Sequence, residues 1–267
     1  MKRILTFILT LTLALSFCVN SFAAATTATA SESQTGTSEA QTDTSKTQAD
    51  TSEAQTDTSK VQAGASYGIS NLSGAPDIVA ESAVVMDANT GTILYGKEAD
   101  TKRYPASITK VMTALLAVEN CKMSDVITYS NAAVNGIEAG SSTAGINVGA
   151  KLTVEDSLYA LMLVSTNEAA AAIAEHISGS TTEFAKLMTK RAKELGCTNT
   201  HFANPHGLQD ENHYTTAHDM ALIAQAAYQN ETFRIIIGTK MYTIPPTNKH
   251  AEETVLRNHH DMLCTYH

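Results

Sequence analysis

The chain has no tryptophan, and aromatic residues make up only 6% of its 267 positions. Its four cysteines are too few and too scattered to frame a disulfide scaffold. Lys and Arg number 18 against 27 Asp and Glu, a formal net charge of -9, with no basic cluster to offset it. Phosphate contacts need concentrated Lys and Arg, so no nucleic-acid partner is expected. The one long apolar run lies at the extreme N-terminus, which excludes a multi-span membrane protein. Hydrophobic residues nevertheless reach 43%, enough for a packed core.

Lys2 and Arg3 precede an apolar stretch over residues 4–17, followed by small residues at 23–25. That order predicts a secretory signal peptide over residues 1–25, and so an exported protein. Phe17 is too bulky beside Cys18 for a good lipidation site. Residues 26–76 are rich in Thr, Ser, Ala and Gln, and TSEAQTDTSK at 37–46 recurs at 51–60. A polar segment of this kind cannot offset its ordering entropy, so a disordered, repeat-containing linker is expected. Residues 77–267, about 190 of them, are the size of one domain.

Residues 82–87 (SAVVMD) and 92–96 (TILYG) are short β-type runs around the turn signal Ala-Asn-Thr-Gly, which predicts a hairpin. Ile108, Val111, Met112, Leu115 and Leu116 then follow helical spacing and predict one buried face. Thr153 and Asp156 have the spacing of a capping box ahead of Leu158, Leu161 and Met162. Further helices are expected over 168–177, 184–195 with Gly196 as its stop, and 216–228. Residues 239–244 alternate like a strand, ended by Pro245 and Pro246. Strands at the front and helices in the middle indicate an α+β or related mixed architecture.

Two short patterns could carry chemistry. In Tyr-Pro-Ala-Ser-Ile-Thr-Lys (104–110), Pro105 favours a helix start that puts Ser107 and Lys110 on one face of its first turn. A serine hydroxyl becomes a nucleophile when a base takes its proton, and a neutral lysine can serve. Burial lowers a lysine pKa enough to make it neutral. The N–H groups and positive end of the helix would favour a developing oxyanion. About one Ser-x-x-Lys is expected by chance in a chain this long, but this is the sole occurrence here. The second pattern is Ser165-Thr166-Asn167, between two predicted helices. It could aim a hydroxyl and an amide into one cleft, or simply cap the next helix.

Together these residues resemble the serine-type D-alanyl-D-alanine carboxypeptidases, the low-molecular-weight penicillin-binding proteins of the S11 peptidase type. The resemblance runs through residues 82–119, 140–179 and 195–224 and covers essentially all of 78–267. It implies a β-lactamase/DD-peptidase-like (transpeptidase) fold, a helical subdomain plus an antiparallel sheet. It implies Ser107 as the acylated nucleophile and Lys110 as its general base. Ser165 would relay protons to the leaving group, and Asn167 would hold the substrate amide and orient Lys110. The implied reaction removes the terminal D-Ala from peptidoglycan stem peptides outside the cytoplasm, with β-lactams as inhibitors. No metal or other cofactor is implied.

One element of the family pattern is absent: neither Lys-Thr-Gly nor Lys-Ser-Gly occurs in the sequence. The expectation is therefore an incomplete catalytic domain, its C-terminal strands missing along with any C-terminal tail for peripheral membrane association. The opening hairpin would then have an open edge, and 77–267 alone should be unstable or inactive. Three alternatives stand beside the enzyme. One is a non-catalytic wall-binding protein. A second is a serine β-lactamase, for which no Glu-x-x-Leu-Asn loop is found. The third is a metal enzyme built on His201, His206, His213 and His218 with Asp210 and Asp219, whose spacings fit no standard zinc signature. Tyr104, Glu138, His206 and His218 could line the cleft, but each is read as a packing or solvated residue and is assigned no role.

Overall fold

The computed structural model describes residues 78–264. The predicted signal peptide and linker, 1–25 and 26–76, lie outside the described residues. The described part contains helices and three two-stranded antiparallel sheets.

The predicted hairpin forms as β1 (Ala83–Met86) against β2 (Ile93–Lys97). Its turn is held by Asp87, whose Oδ1 accepts from the N–H groups of Asn89 and Thr90 at 3.0 and 2.7 Å. Gly91 closes it in the left-handed region at φ 72°. The hairpin packs on α6 (Ala217–Tyr228), where Gln225 donates to the Ala88 carbonyl at 3.0 Å. Val85 and Leu94 remain exposed on it.

A single 3₁₀ turn, Ala106–Thr109, leads into α1 (Lys110–Asn120). Met112 and 114–117 are almost fully buried, so α1 is the central element, in contact with α6 and with the helices Val154–Leu163, Asn167–Ser178, Thr181–Glu194 and Glu231–Ile237. The expected apolar face is only partly observed. Ile108 is 53% exposed, because the 3₁₀ turn rotates it away from the helical row that Met112, Leu115 and Leu116 continue.

β3 (Val126–Thr128) pairs with β4 (Lys151–Thr153), and the short α2 (Asn131–Asn135) lies between them in sequence. The capping box forms as the spacing predicts. Thr153 Oγ1 accepts from the Asp156 N–H at 3.0 Å, and Asp156 Oδ2 accepts from the Thr153 N–H at 3.2 Å. It starts α3 (Val154–Leu163). α4 (Asn167–Ser178) is rich in alanine, and 169–174 are all buried. Small side chains let this helix approach α1, α3 and α5 (Thr181–Glu194) closely. α6 is capped by Thr216, and α7 (Glu231–Ile237) by Asn230.

β5 (Met241–Ile244) pairs with β6 (Thr254–Arg257), and α8 (Asp261–Cys264) closes the described residues. Tyr242 fastens this hairpin to α3: its ring stacks on Tyr159 at 3.7 Å, and its hydroxyl donates to Asp156 Oδ1 at 2.8 Å. No helix among the described residues is long and apolar enough to cross a membrane.

Thr153→Ala removes the acceptor that starts α3, and should cost about 1 kcal/mol of stability. Urea unfolding checks this: the midpoint should fall with no change in slope. An unchanged midpoint would mean that the box does not hold α3.

Candidate active site

Ser107 lies on the 3₁₀ turn and is exposed, whereas Lys110, one turn later, is only 3% exposed. The lysine amine reaches back to Ser107 Oγ at 3.3 Å and donates to the carbonyl of His206 at 2.8 Å. Burial pulls Lys110 down from the ordinary lysine range to about 8, against the opposing field of Glu168, which favours the charged form. Near-neutral pH therefore leaves a fraction of this amine unprotonated, able to accept the proton of a hydroxyl that already faces it.

The loop at 204–208 supplies the other side of this lysine. Asn204 Oδ1 accepts from the Gly207 N–H at 2.7 Å, and its amide donates to the Leu208 carbonyl at 2.9 Å, closing a tight turn. Thr113 on α1 donates to the Pro205 carbonyl at 2.6 Å. Gly207, at φ 87°, lies against Ala106, where any Cβ would overlap the Ala106 carbonyl. Ala106 itself has φ 49°, a strained value for a residue with a side chain, and it immediately precedes Ser107.

The second pattern falls at the turn between α3 and α4, both of which pack on α1. Ser165 has φ 58°, and its Oγ is buried with no hydrogen-bond partner among the described residues. Asn167 is the first residue of α4 and is buried. Its N–H donates to the Ser142 carbonyl at 3.0 Å. Capping does not explain Ser165, because the N-cap residue is Thr166 and makes no side-chain cap bond. Of the four residues singled out, hydrogen bonding joins Ser107 to Lys110, while Ser165 and Asn167 sit together at the head of α4.

Two contributors escaped the sequence reading. His206, read as packing or solvated, acts through its backbone carbonyl, which no side-chain pattern can signal. Glu168 is a buried carboxylate beside Asn167. A charged residue opening an alanine-rich apolar run was the available clue. The histidines are dispersed. His213 Nδ1 accepts from the Ala203 N–H at 3.0 Å, so Nε2 carries the proton and donates to Thr109 Oγ1 at 2.7 Å. His201 lies against the Asn212 carbonyl and His218 against Asp100. Among the described residues no three His, Cys, Asp or Glu side chains are grouped to hold a metal ion.

Comparison with known proteins matches residues 70–266 to the family profile described as D-alanyl-D-alanine carboxypeptidase. The chain belongs to this family. Among curated carboxypeptidases, the DacF protein of Bacillus subtilis is 42% identical over 165 residues, 60% of this chain and 42% of its own. The Streptomyces sp. D-alanyl-D-alanine carboxypeptidase is 34% identical over 203 residues, covering 72% and 70%. The chain thus spans less than half the length of the Bacillus relative. Among solved structures, the Streptomyces DD-transpeptidase superposes with a TM-score of 0.66 at 34% identity, covering 72% of this chain and 78% of that one. The carboxypeptidase from Mycobacterium tuberculosis gives 0.65 at 30% identity, covering 72% and 70%. The carboxypeptidase-family chain accordingly has the DD-peptidase fold that the sequence resemblance implied.

In this carboxypeptidase-family chain, Gly207→Ala forces the overlap with Ala106 and a disfavoured φ. The expected result is a lower melting temperature and about 100-fold slower acylation of Ser107 by a reactive probe. Wild-type reactivity would show that the 204–208 loop does not set the position of Ser107.

Proposed function

We propose that the protein is a serine D-alanyl-D-alanine carboxypeptidase acting on peptidoglycan stem peptides outside the cytoplasm. The observation that carries this reading is the contact between Ser107 Oγ and a buried lysine whose pKa lies near 8. Lys110, neutral, takes the Ser107 proton as Oγ adds to the carbonyl carbon of the penultimate D-Ala. The carbonyl π electrons move to oxygen. Collapse of that adduct breaks the C–N bond, and the departing amine of the terminal D-Ala takes its proton through Ser165. Water then hydrolyses the Ser107 ester. Ser165 Oγ is buried without a hydrogen-bond partner, as is Thr166 Oγ1, so either gains a bond when a polar group reaches it; the relay role of Ser165 rests on its match to the family pattern. Asn167, at the head of α4, would hold the substrate amide and orient Lys110.

A β-lactam would open on Ser107 in the same way, but its amine stays tethered to the ester. The charged-apolar-small order of the first 25 residues supports export. The 267 residues contain no Lys-Thr-Gly, so the proposal assigns only the groups that attack, take the proton and relay it.

Incubating the full-length protein with a fluorescent penicillin should place one label on Ser107, and Ser107→Ala should abolish it. A folded wild-type protein that takes no label at Ser107 would overturn the activity of this chain, in favour of wall binding without catalysis or of the inactive, incomplete domain expected from the missing Lys-Thr-Gly.

The pH dependence has a definite sign. Lys110 acts as a base only when unprotonated, so the acylation rate should rise through about pH 8 and fall about tenfold per unit well below it. His206 and His213 are pushed down to about 4, chiefly by burial, and stay neutral across this range. Stopped-flow labelling between pH 5 and 9 checks this; a limb centred between 6 and 7 would point to a histidine base instead.

A further inference from the structure

Glu168 follows Asn167 on α4 and is 3% exposed, yet no step of the chemistry above uses it. Its Oε1 accepts three hydrogen bonds from one loop: from Thr143 Oγ1 at 2.6 Å, the Ala144 N–H at 2.9 Å and the Ile146 N–H at 3.4 Å. Asn167 adds the bond from its N–H to the Ser142 carbonyl. Two successive residues at the head of α4 therefore hold most of the segment 142–146. Thr143 also accepts from the Gly145 N–H at 2.9 Å, which closes the segment on itself. Its other face borders a cleft of about 310 Å³, where Ala144, Gly145 and Ile146 oppose Ile244, Thr247 and His250.

A carboxylate is a costly way to pin a loop. Burying a charge disfavours the folded state by several kcal/mol unless hydrogen bonds and an opposite charge offset it. The opposite charge here is Lys110, which the Glu168 field acts upon. The titratable groups facing this pair are Tyr129, which follows β3, and His206 from the 204–208 loop. Tyr129 is fully buried, and burial holds its hydroxyl well above the usual range, so it stays neutral.

We propose that Glu168 is a positioning residue of this site: it fixes loop 142–146 to the Asn167 end of α4 and sets a buried negative charge at the head of a helix that packs on α1, the helix that Lys110 opens. The catalytic consequence rests on the Ser107–Lys110 reading; the clasp itself does not. The two functions separate by substitution. In Glu168→Gln the amide oxygen still accepts the three bonds, but the charge is gone. In Glu168→Ala both are gone.

The test uses the full-length protein, with hydrogen exchange at residues 142–147 and the pH profile of acylation by a fluorescent penicillin. Without the negative charge the ammonium form of Lys110 is less favoured. Glu168→Gln should therefore move the acidic limb to lower pH by about half a unit or more, with loop exchange close to wild type. Glu168→Ala should speed loop exchange about tenfold or more and raise KM. An unmoved limb in Glu168→Gln overturns the electrostatic half, and wild-type loop exchange in a folded Glu168→Ala overturns the clasp. If Glu168→Ala does not fold, the limb in Glu168→Gln decides. If the wild-type protein takes no penicillin at all, the Ser107 reading fails, and loop exchange alone decides for or against the clasp.

Discussion

The site depends on the burial of one amine. Lys110 opens the most central helix of the domain, so the packing of α1 against α3, α4 and α6 also removes this side chain from water. Loss of hydration lowers its pKa to about 8, and the Ser107 hydroxyl and His206 carbonyl are the groups left to receive its hydrogen bonds. A more exposed lysine would stay protonated and could not act as a base at neutral pH. In the proposed reaction the helical core thus supplies the basicity of Lys110 as well as its position.

Backbone strain marks the same place. Among the described residues only Glu98, Ala106 and Ser165 combine a side chain with a positive φ. Ala106 turns the chain so that Ser107 faces Lys110, and Ser165 turns it between α3 and α4. Each such conformation costs about 1–3 kcal/mol and persists because its surroundings enforce it. For Ala106 the enforcing element is the 204–208 loop, where the absence of a Cβ at Gly207 permits contact. For Ser165 it is the start of α4, where Asn167 and Glu168 are both tied to the 142–146 segment.

Much of this was legible in the sequence, and the limits have physical causes. The hairpin at 83–97, the Thr153 capping box and helices α3, α4 and α6 rest on local rules of turn residues, caps and periodicity, and they formed within about a residue of where those rules put them, whereas α5 starts three residues earlier than read, at Thr181. The pairing of Ser107 with Lys110 was legible because i and i+3 residues meet on either a 3₁₀ or an α turn. The 3₁₀ form itself was not, and neither was the exposure of Ile108 that goes with it; Ala106 and Thr109 of this turn meet Gly207 and His213, about 100 positions away. β3 and β4 are three residues long, too short for periodicity to register. The His206 carbonyl carries no sequence mark, because any residue has one. Glu168 was visible as a charge in an apolar run, but only the fold shows which loop it grips.

The most direct test of the account is the titration of Lys110 itself. Selective ¹³C labelling of lysine, with Lys110→Arg to assign the resonance, would follow its Cε shift from pH 6 to 11 in the full-length protein. A midpoint near 8 is predicted, well below that of the exposed lysines. A midpoint near 10.5, with the other lysines, would contradict the claim that burial converts this residue into a base.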